Sequence, residues 1–244
     1  MRGDVFQCVQ PAPSDMITRD QTCVVIAAYN EAAMIGSVVG EVRRAGYWVV
    51  LVDDGSTDAT AQAARAAGAV VIQHPFNLGQ GAALQSGIDL ALANGAEVIV
   101  TFDADGQHGA ADISRLTDAL AEENADFVLG SRFLETSSNI PPLRRVLLKA
   151  ATVFTRITTG LRLTDAHNGL RAMTRRGAGA IRLRQNRMAH ASELLAQIGA
   201  SGLRYVERPV TIHYSAYSIA KGQKTSDSVA ILLDLFAHAL YRRV

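Results

Sequence analysis

The residues most able to do chemistry lie in Phe102-Asp103-Ala104-Asp105-Gly106-Gln107-His108. They follow the apolar run from Val98 to Thr101, which places two carboxylates where a buried strand ends. Carboxylates one residue apart repel each other unless a cation compensates. Mg²⁺ or Mn²⁺ bridging to phosphate oxygens would do so, because hard divalent ions prefer carboxylate and phosphate oxygens. The plainer reading is a solvated turn, since Asp and Gly are ordinary turn residues. Three other segments bear on the choice. Tyr29-Asn30-Glu31 follows the apolar run ending at Ala28, and Asp53-Asp54-Gly55-Ser56-Thr57-Asp58 follows the run ending at Val52. In the second, Ser56 or Thr57 could cap the next helix and Asp58 would suit its first turn. Capping leaves Asp53 and Asp54 unexplained, and carboxylates there could accept from a nucleobase N–H or from ribose hydroxyls. Asn77-Leu78-Gly79-Gln80-Gly81 opens a further helix. Its glycines permit close backbone approach, and a helix N-terminus favours an anion.

The first half of the chain alternates short apolar runs with helical patterns. Strands are expected at Val24–Ala28, Val49–Val52, Val70–Gln73, Val98–Phe102 and Phe127–Gly130. Helices are expected at Glu31–Ala45, Thr57–Ala67, Leu78–Ala93 and Ala111–Glu123. Short continuous apolar strands between helices indicate an α/β fold, with a mostly parallel central sheet covered by helices on both faces. Ligands of such sheets bind beyond the carboxyl ends of the strands, so the acidic segments should converge on one crevice. In the second half the sequence predicts a long helix from Pro141-Pro142 to about Thr159, a polar segment from Thr164 to Arg171 and a helix at Ala191–Ala200. It also predicts extended runs at Leu203–Val206 and Val210–Tyr214, a polar loop from Ser215 to Ser226 and a terminal amphipathic helix at Val229–Tyr241.

Composition sets outer bounds. The chain has 244 residues, 48% hydrophobic and 19% charged, enough for one large core. The expected organisation is a flexible arm over residues 1–21, one domain over 22–227 and a C-terminal amphipathic helix over 228–244. That helix would serve a homo-oligomer or membrane-surface contact. No run reaches the ~20 apolar residues of a membrane span, and the start lacks a secretory layout. Cys8 and Cys23 make no disulfide framework. These features suggest the cytoplasm, with a peripheral seat on the membrane face. The net charge of +1 hides an asymmetry: Thr22–Ser131 holds 4 Lys/Arg and 14 Asp/Glu, whereas Arg132–Arg187 holds 12 and 2. The basic part could face phosphates or an anionic lipid, or simply be solvated helix faces. Nucleic acid is disfavoured by few aromatics and a near-neutral total.

Taken together, Val25 to Glu31, Asp53-Asp54-Gly55-Ser56, Asn77-x-Gly79-x-Gly81 and Asp103-x-Asp105 resemble the inverting family-2 glycosyltransferases of GT-A fold. Within them the chain is most similar to dolichol- or polyprenyl-phosphate hexosyltransferases, over about Thr22 to Gln223. The resemblance implies that Ala27, Tyr29, Glu31, Asp53 and Asp54 hold the nucleoside, with Gly79 and Gln80 beside the nucleotide sugar. It implies that Asp103, Asp105 and Gln107 bind Mg²⁺ or Mn²⁺ with the diphosphate. Gly130-Ser131-Arg132 matches a phosphate-side arginine, Thr164 to Arg171 the segment lining the donor sugar and acceptor, and Lys221-Gly222-Gln223-Lys224 a mobile basic loop. Departures are Ala27 where proline is usual, Gln80 where lysine is frequent and Gly109 where proline is common. The carboxy-terminal membrane helices of some relatives are missing, which favours a peripheral mode or a separate membrane-protein partner.

The expected activity is therefore hexose transfer from a nucleoside diphosphate sugar to a polyprenyl phosphate, with inversion. A phosphate acceptor is already ionised near neutral pH, whereas a hydroxyl acceptor needs a base. Asp165 and Glu193 are the candidates for that role. The alternatives are a glycosyltransferase acting on a sugar or protein hydroxyl, and a non-catalytic sugar-nucleotide-binding subunit of a membrane complex. A nucleotidyltransferase is disfavoured, because Ala28-Tyr29-Asn30-Glu31 stands where a glycine-rich basic loop would open.

Overall fold

The computed structural model describes residues 18–134, 152, 153, 155–166, 168–185 and 189–213. Lys221, Gln223, the terminal helix, most of the N-terminal arm and most of the helix expected after Pro141 lie outside the described residues. The last residues of the expected arm form a short 3-10 turn, Arg19–Gln21, leading into the first strand.

Seven strands form one sheet in the order β3-β2-β1-β4-β6-β5-β7. They are β1 Thr22–Ala28, β2 Trp48–Asp53, β3 Val70–Gln73, β4 Val98–Asp103, β5 Phe127–Ser131, β6 Arg171–Thr174 and β7 Tyr205–Pro209. The first five match the expected runs to within two residues at each end. In β1, β2, β4 and β5 the central positions are mostly β-branched or leucine and are buried on both faces, as a covered parallel sheet requires, whereas β3 at the edge is only partly buried. β1 runs parallel to both β2 and β4, and β3 runs parallel to β2. β6 is the exception. It is inserted antiparallel between β4 and β5, with Thr101 opposite Arg171 and Leu129 opposite Arg171 on its other side. The sequence reading missed this strand because it has four residues and opens on Arg171, the last residue of the polar segment from Thr164. Among the described residues one strand follows it, β7, ending at Pro209, and beyond it Ile212 makes an isolated antiparallel bridge to His108.

The helices are α1 Ala32–Arg44, α2 Thr60–Ala66, α3 Gln80–Ala93, α4 Ala111–Glu122, α5 Arg175–Gly179 and α6 Ala189–Ser201. Two cores lie on opposite faces of the sheet. One gathers Ile35, Val39 and Val42 of α1 and Ile113 and Leu116 of α4 against Val24 and Ile26. The other gathers Leu84 and Ile88 of α3 and Leu194 and Ile198 of α6 against Val25 and Ile99. Gly87 lets α3 approach the sheet, since a Cβ there would lie 2.3 Å from Val25 Cγ1. Alternate residues of β1 thus serve opposite cores, the expected consequence of the two-residue period of a strand.

Candidate active site

Strand register brings the acidic segments together. Ala28 lies opposite Asp53 and Ala27 opposite Asp103, so β1 ends flanked by both carboxylates. Ala27 is half-buried between them, and Tyr29 just beyond is 44% exposed. Asn30 adopts φ 54° and ties the β1 and β2 loops together. Its N–H donates to Ser56 Oγ at 2.9 Å, and its Oδ1 accepts from Thr57 N at 2.9 Å. Ser56 and Thr57 therefore serve this loop rather than a helix cap, which corrects the capping expectation. α2 starts at Thr60 after Ala59 with no side-chain N-cap, while Asp58 accepts from Thr60 N at 3.0 Å and from Ala32 N at 3.1 Å.

The two aspartates after β2 play different parts. Asp53 Oδ1 accepts from Ser56 N at 3.0 Å, and its Oδ2 lies 3.3 Å from Gln73 Nε2. Asp54 is turned to the protein itself. It accepts from Leu78 N at 2.9 Å and Gly79 N at 2.7 Å, and it pairs with His74 Nδ1 at 2.7 Å. His74 Nε2 in turn lies 3.0 Å from Ser86 Oγ of α3. Asp54 thus fixes the Asn77–Gly81 loop, with Gly79 at φ 97° just before Gln80 begins α3. Nothing in the sequence pattern distinguishes a carboxylate that binds ligand from one that binds the adjacent loop. Gly55 is needed where it stands: its φ is +73°, and a Cβ would lie 2.5 Å from the Phe76 carbonyl carbon.

Asp103 and Asp105 stand at the end of β4 and just beyond it. Asp103 Oδ2 is 3.2 Å from His108 Nε2. Burial pushes the Asp103 carboxyl up, but the His108 hydrogen bond and the nearby His108, Arg171 and His190 charges hold it below the ordinary range. Asp105 goes the other way, raised by burial and by the Asp103 carboxylate, with Glu31 adding repulsion. Its Oδ1 accepts from Gln107 N at 3.0 Å across Gly106, which has φ +74°. Gln107 is braced from behind by His213 N, which donates to its carbonyl at 2.8 Å. Asp103 is also pressed by Gly169, where a Cβ would fall 2.2 Å from Oδ2. Two buried polar atoms near this corner, His108 Nδ1 and Asn168 Nδ2, have no partner among the described residues.

A pair of carboxylates that raises one member's pKa is a site short of positive charge, and its donors are all hard oxygens. Among the described residues no group of three His, Cys, Asp or Glu would enclose a metal by itself. The acidic pair fits a divalent ion held on one side by Asp103 and Asp105 and completed by phosphate oxygens and water.

The remaining candidates are engaged with one another or with backbone. Arg132 and Asp165 form a bidentate pair, Nε to Oδ2 at 2.7 Å and Nη2 to Oδ1 at 2.8 Å, with side chains 9% and 1% exposed. Thr164 and Asp165 are held by Glu207 of β7, whose carboxylate accepts from both backbone N–H groups at 2.9 to 3.2 Å. Burial raises the Glu207 pKa against those bonds. Sequence reading did not single out Glu207, whose only signal was an acidic residue inside an extended run. Glu193 Oε2 accepts from Arg184 N at 2.9 Å and Gln185 N at 2.8 Å, bracing the loop before α6. Beside Asp103 lies a cavity of about 140 Å³ whose walls include Gln80, Gly169, Arg171 and His190.

Comparison with known proteins gives the chain's family and fold. Residues 23–180 match the family described as Glycosyl transferase family 2. The chain is 30% identical over 221 residues to a UDP-N-acetylglucosamine–dolichyl-phosphate N-acetylglucosaminyltransferase of Methanococcus voltae, covering 82% of this chain and 88% of the relative. It is 34% identical over 183 residues to a polyprenol monophosphomannose synthase of Mycolicibacterium smegmatis, covering 71% and 69%. Its fold is similar to glucosyl-3-phosphoglycerate synthase from Mycobacterium tuberculosis, crystallised with Mn²⁺, UDP and glucosyl-3-phosphoglycerate. The TM-score is 0.62 at 21% identity, covering 89% and 80%. Among the described residues, no helix is long and apolar enough to cross a membrane. The chain belongs to glycosyl transferase family 2, with the GT-A fold and a likeness to the members that act on dolichyl and polyprenyl phosphates.

Proposed function

We propose that this protein transfers a hexose from a nucleoside diphosphate sugar to a polyprenyl phosphate, inverting the anomeric carbon and requiring Mg²⁺ or Mn²⁺. The observation that carries the reading is the Asp103–Asp105 pair at the mouth of β4, separated from Asp53 by β1. Asp103 and Asp105, with Gln107, would hold the metal, which when bound supplies positive charge to the departing diphosphate. Asp53 and Tyr29 stand where the nucleoside would lie, and Asp54 keeps Gly79 and Gln80 in place beside it. The acceptor oxygen attacks the anomeric carbon from the face opposite the diphosphate. The carbon–oxygen bond to the diphosphate breaks, and the nucleoside diphosphate leaves with the bonding pair.

The state of the possible bases supports a phosphate acceptor over a hydroxyl. Asp165 is ion-paired to Arg132, and Glu193 is bonded to two backbone N–H groups. An acceptor that needs no proton removed asks nothing of either. The names of the Methanococcus and Mycolicibacterium relatives point the same way. A peripheral seat on the cytoplasmic membrane face, alone or with a membrane-protein partner, follows from an acceptor of that kind. The test is to incubate the protein with labelled UDP-, GDP- and dTDP-sugars and polyprenyl phosphate, then extract the lipid. Label in the lipid phase that vanishes with a chelator is expected. Transfer only to sugar or peptide hydroxyls, accompanied by a large rate loss in Glu193→Gln, would favour the second reading.

A further inference from the structure

Three side chains in series tie the loop before α3 to the elements on either side of it. Asp54 follows β2, His74 follows β3 and Ser86 lies within α3. Asp54 Oδ1 is 2.7 Å from His74 Nδ1, and His74 Nε2 is 3.0 Å from Ser86 Oγ. The Asp54 and His74 side chains are 4% and 9% exposed. A carboxylate only accepts, so the neutral imidazole gives Asp54 its Nδ1 proton, and Nε2 is left to accept from the Ser86 hydroxyl. The backbone of His74 is fixed as well, its N–H donating to the Asp53 carbonyl at 2.9 Å.

The order Asp–His–Ser is that of a nucleophilic triad, but Ser86 does not face the crevice. The walls of the cavity beside Asp103 include Gln80 and Leu84 of α3. At about 100° per residue, Ser86 is turned to the other side of the helix from Leu84. What the series does reach is the placement of α3. Leu78 and Gly79 give their N–H groups to Asp54, and Gln80 starts the helix one residue later, on the wall beside Asp103. The Ser86 end holds the helix itself, less than two turns farther on. The imidazole thus spans from the end of β2, where Asp53 stands, to the helix whose first turn borders the candidate metal site.

We propose that His74 is a positioning residue for the donor diphosphate: bonded to Asp54 and Ser86, it sets how far the first turn of α3 stands from Asp103. This rests on the transferase reading above and adds a residue that acts through Asp54 and α3. The backbone bond from His74 to Asp53 survives a change of side chain, so the nucleoside end of the crevice should be spared.

The test pairs calorimetry with hydrogen exchange on the full chain, with no turnover needed. With Mn²⁺ present, wild type is titrated with UDP, GDP, UMP and GMP, and is expected to prefer the diphosphate of one base. His74→Ala should weaken that diphosphate about tenfold and leave its monophosphate within about twofold. His74→Asn offers an amide in the place of Nδ1 and should restore most of the loss. His74→Gln, whose amide falls in the place of Nε2, should not. Ser86→Ala should fall between wild type and His74→Ala. In the ligand-free chain, His74→Ala should speed exchange of the Leu78 and Gly79 amides by about tenfold and leave the β1 and β4 amides at the wild-type rate. If His74→Ala does not fold, the contrast between His74→Asn and His74→Gln carries the test. Equal loss for monophosphate and diphosphate overturns the proposal. So does a His74→Asn variant that binds diphosphate no better than His74→Gln. A wild type that binds none of the four nucleotides sinks the transferase reading and the diphosphate role together. A wild type that binds a diphosphate, matched by His74→Ala, overturns this proposal alone.

Discussion

At the scale of single residues, opposed shifts separate the two aspartates of the candidate metal site. Asp105 holds its proton more tightly in the metal-free fold than in the unfolded chain, because burial and Asp103 disfavour its charge. Its contribution to stability is therefore complete below the ordinary value of 3.8 and is lost as pH rises through the raised value. Asp103 behaves oppositely: its contribution is present above 3.8 and is lost as pH falls through the lowered value. Two outcomes follow for Asp105→Asn. The metal-free variant should melt higher than wild type near neutral pH, by differential scanning calorimetry. It should also lose the stabilisation that Mn²⁺ with UDP gives wild type. Mn²⁺ affinity of wild type should weaken as pH falls toward the raised Asp105 pKa, since the metal requires the carboxylate. The Arg132–Asp165 pair makes a separate prediction. Arg132→Met leaves a buried carboxylate without its partner and should cost about 3–5 kcal/mol in urea unfolding. The double variant Arg132→Met/Asp165→Leu should recover much of that, because paired apolar replacements remove the uncompensated charge.

At the scale of elements, the site depends on how closely loops approach strand ends. Gly169 precedes β6 by two residues and abuts Asp103 with no room for a methyl group. Gly169→Ala should displace that carboxylate and lower Mn²⁺ affinity in the presence of UDP by about 10–100-fold, with far-UV circular dichroism unchanged. Asp54→Ala removes the acceptor of the Leu78 and Gly79 N–H groups and the His74 partner. It should destabilise by about 1–3 kcal/mol and weaken nucleotide binding through the loose α3 loop. These elements also show what the sequence could reveal. β1, β2 and β4 were legible because the short apolar runs Val24–Ala28, Val49–Val52 and Val98–Phe102 at their centres fit a covered sheet. β6 was not, because its one conspicuous residue is a buried arginine, and only pairing with β4 and β5 makes those four residues a strand. The acidic clusters were legible as a convergent site, since the alternation of strand and helix dictates which loops share an edge. The engagement of Asp54 arises from contacts 20 to 25 residues away, that of Arg132 from one 33 away and that of Glu193 from two 8 and 9 away, which no local pattern encodes.

At the scale of the whole molecule, the charge asymmetry between the two halves turns out to be partly internal. Arg175, Arg176 and Arg182 of the basic half meet Glu97, Asp126 and Asp89 of the acidic half. The plainer reading, charges on solvated faces, therefore accounts for several of these arginines. The exposed pairs of Arg175 and Arg182 contribute about 0–1 kcal/mol each, whereas Arg176 grips the buried Asp126 with two hydrogen bonds. Together they hold α5 and the loop after it against α3 and the residues just before β4 and β5. The central claim is that Asp103 and Asp105 make this a metal-dependent transferase to lipid phosphate. The most direct measurement is the initial rate of lipid glycosylation as Mn²⁺ is titrated into chelator-treated wild type and Asp105→Asn, side by side. The account predicts a wild-type rate that rises from background with metal, and a variant rate about 100-fold lower or less that excess metal does not restore. A variant that keeps the wild-type rate, or a wild-type rate indifferent to metal, would contradict it.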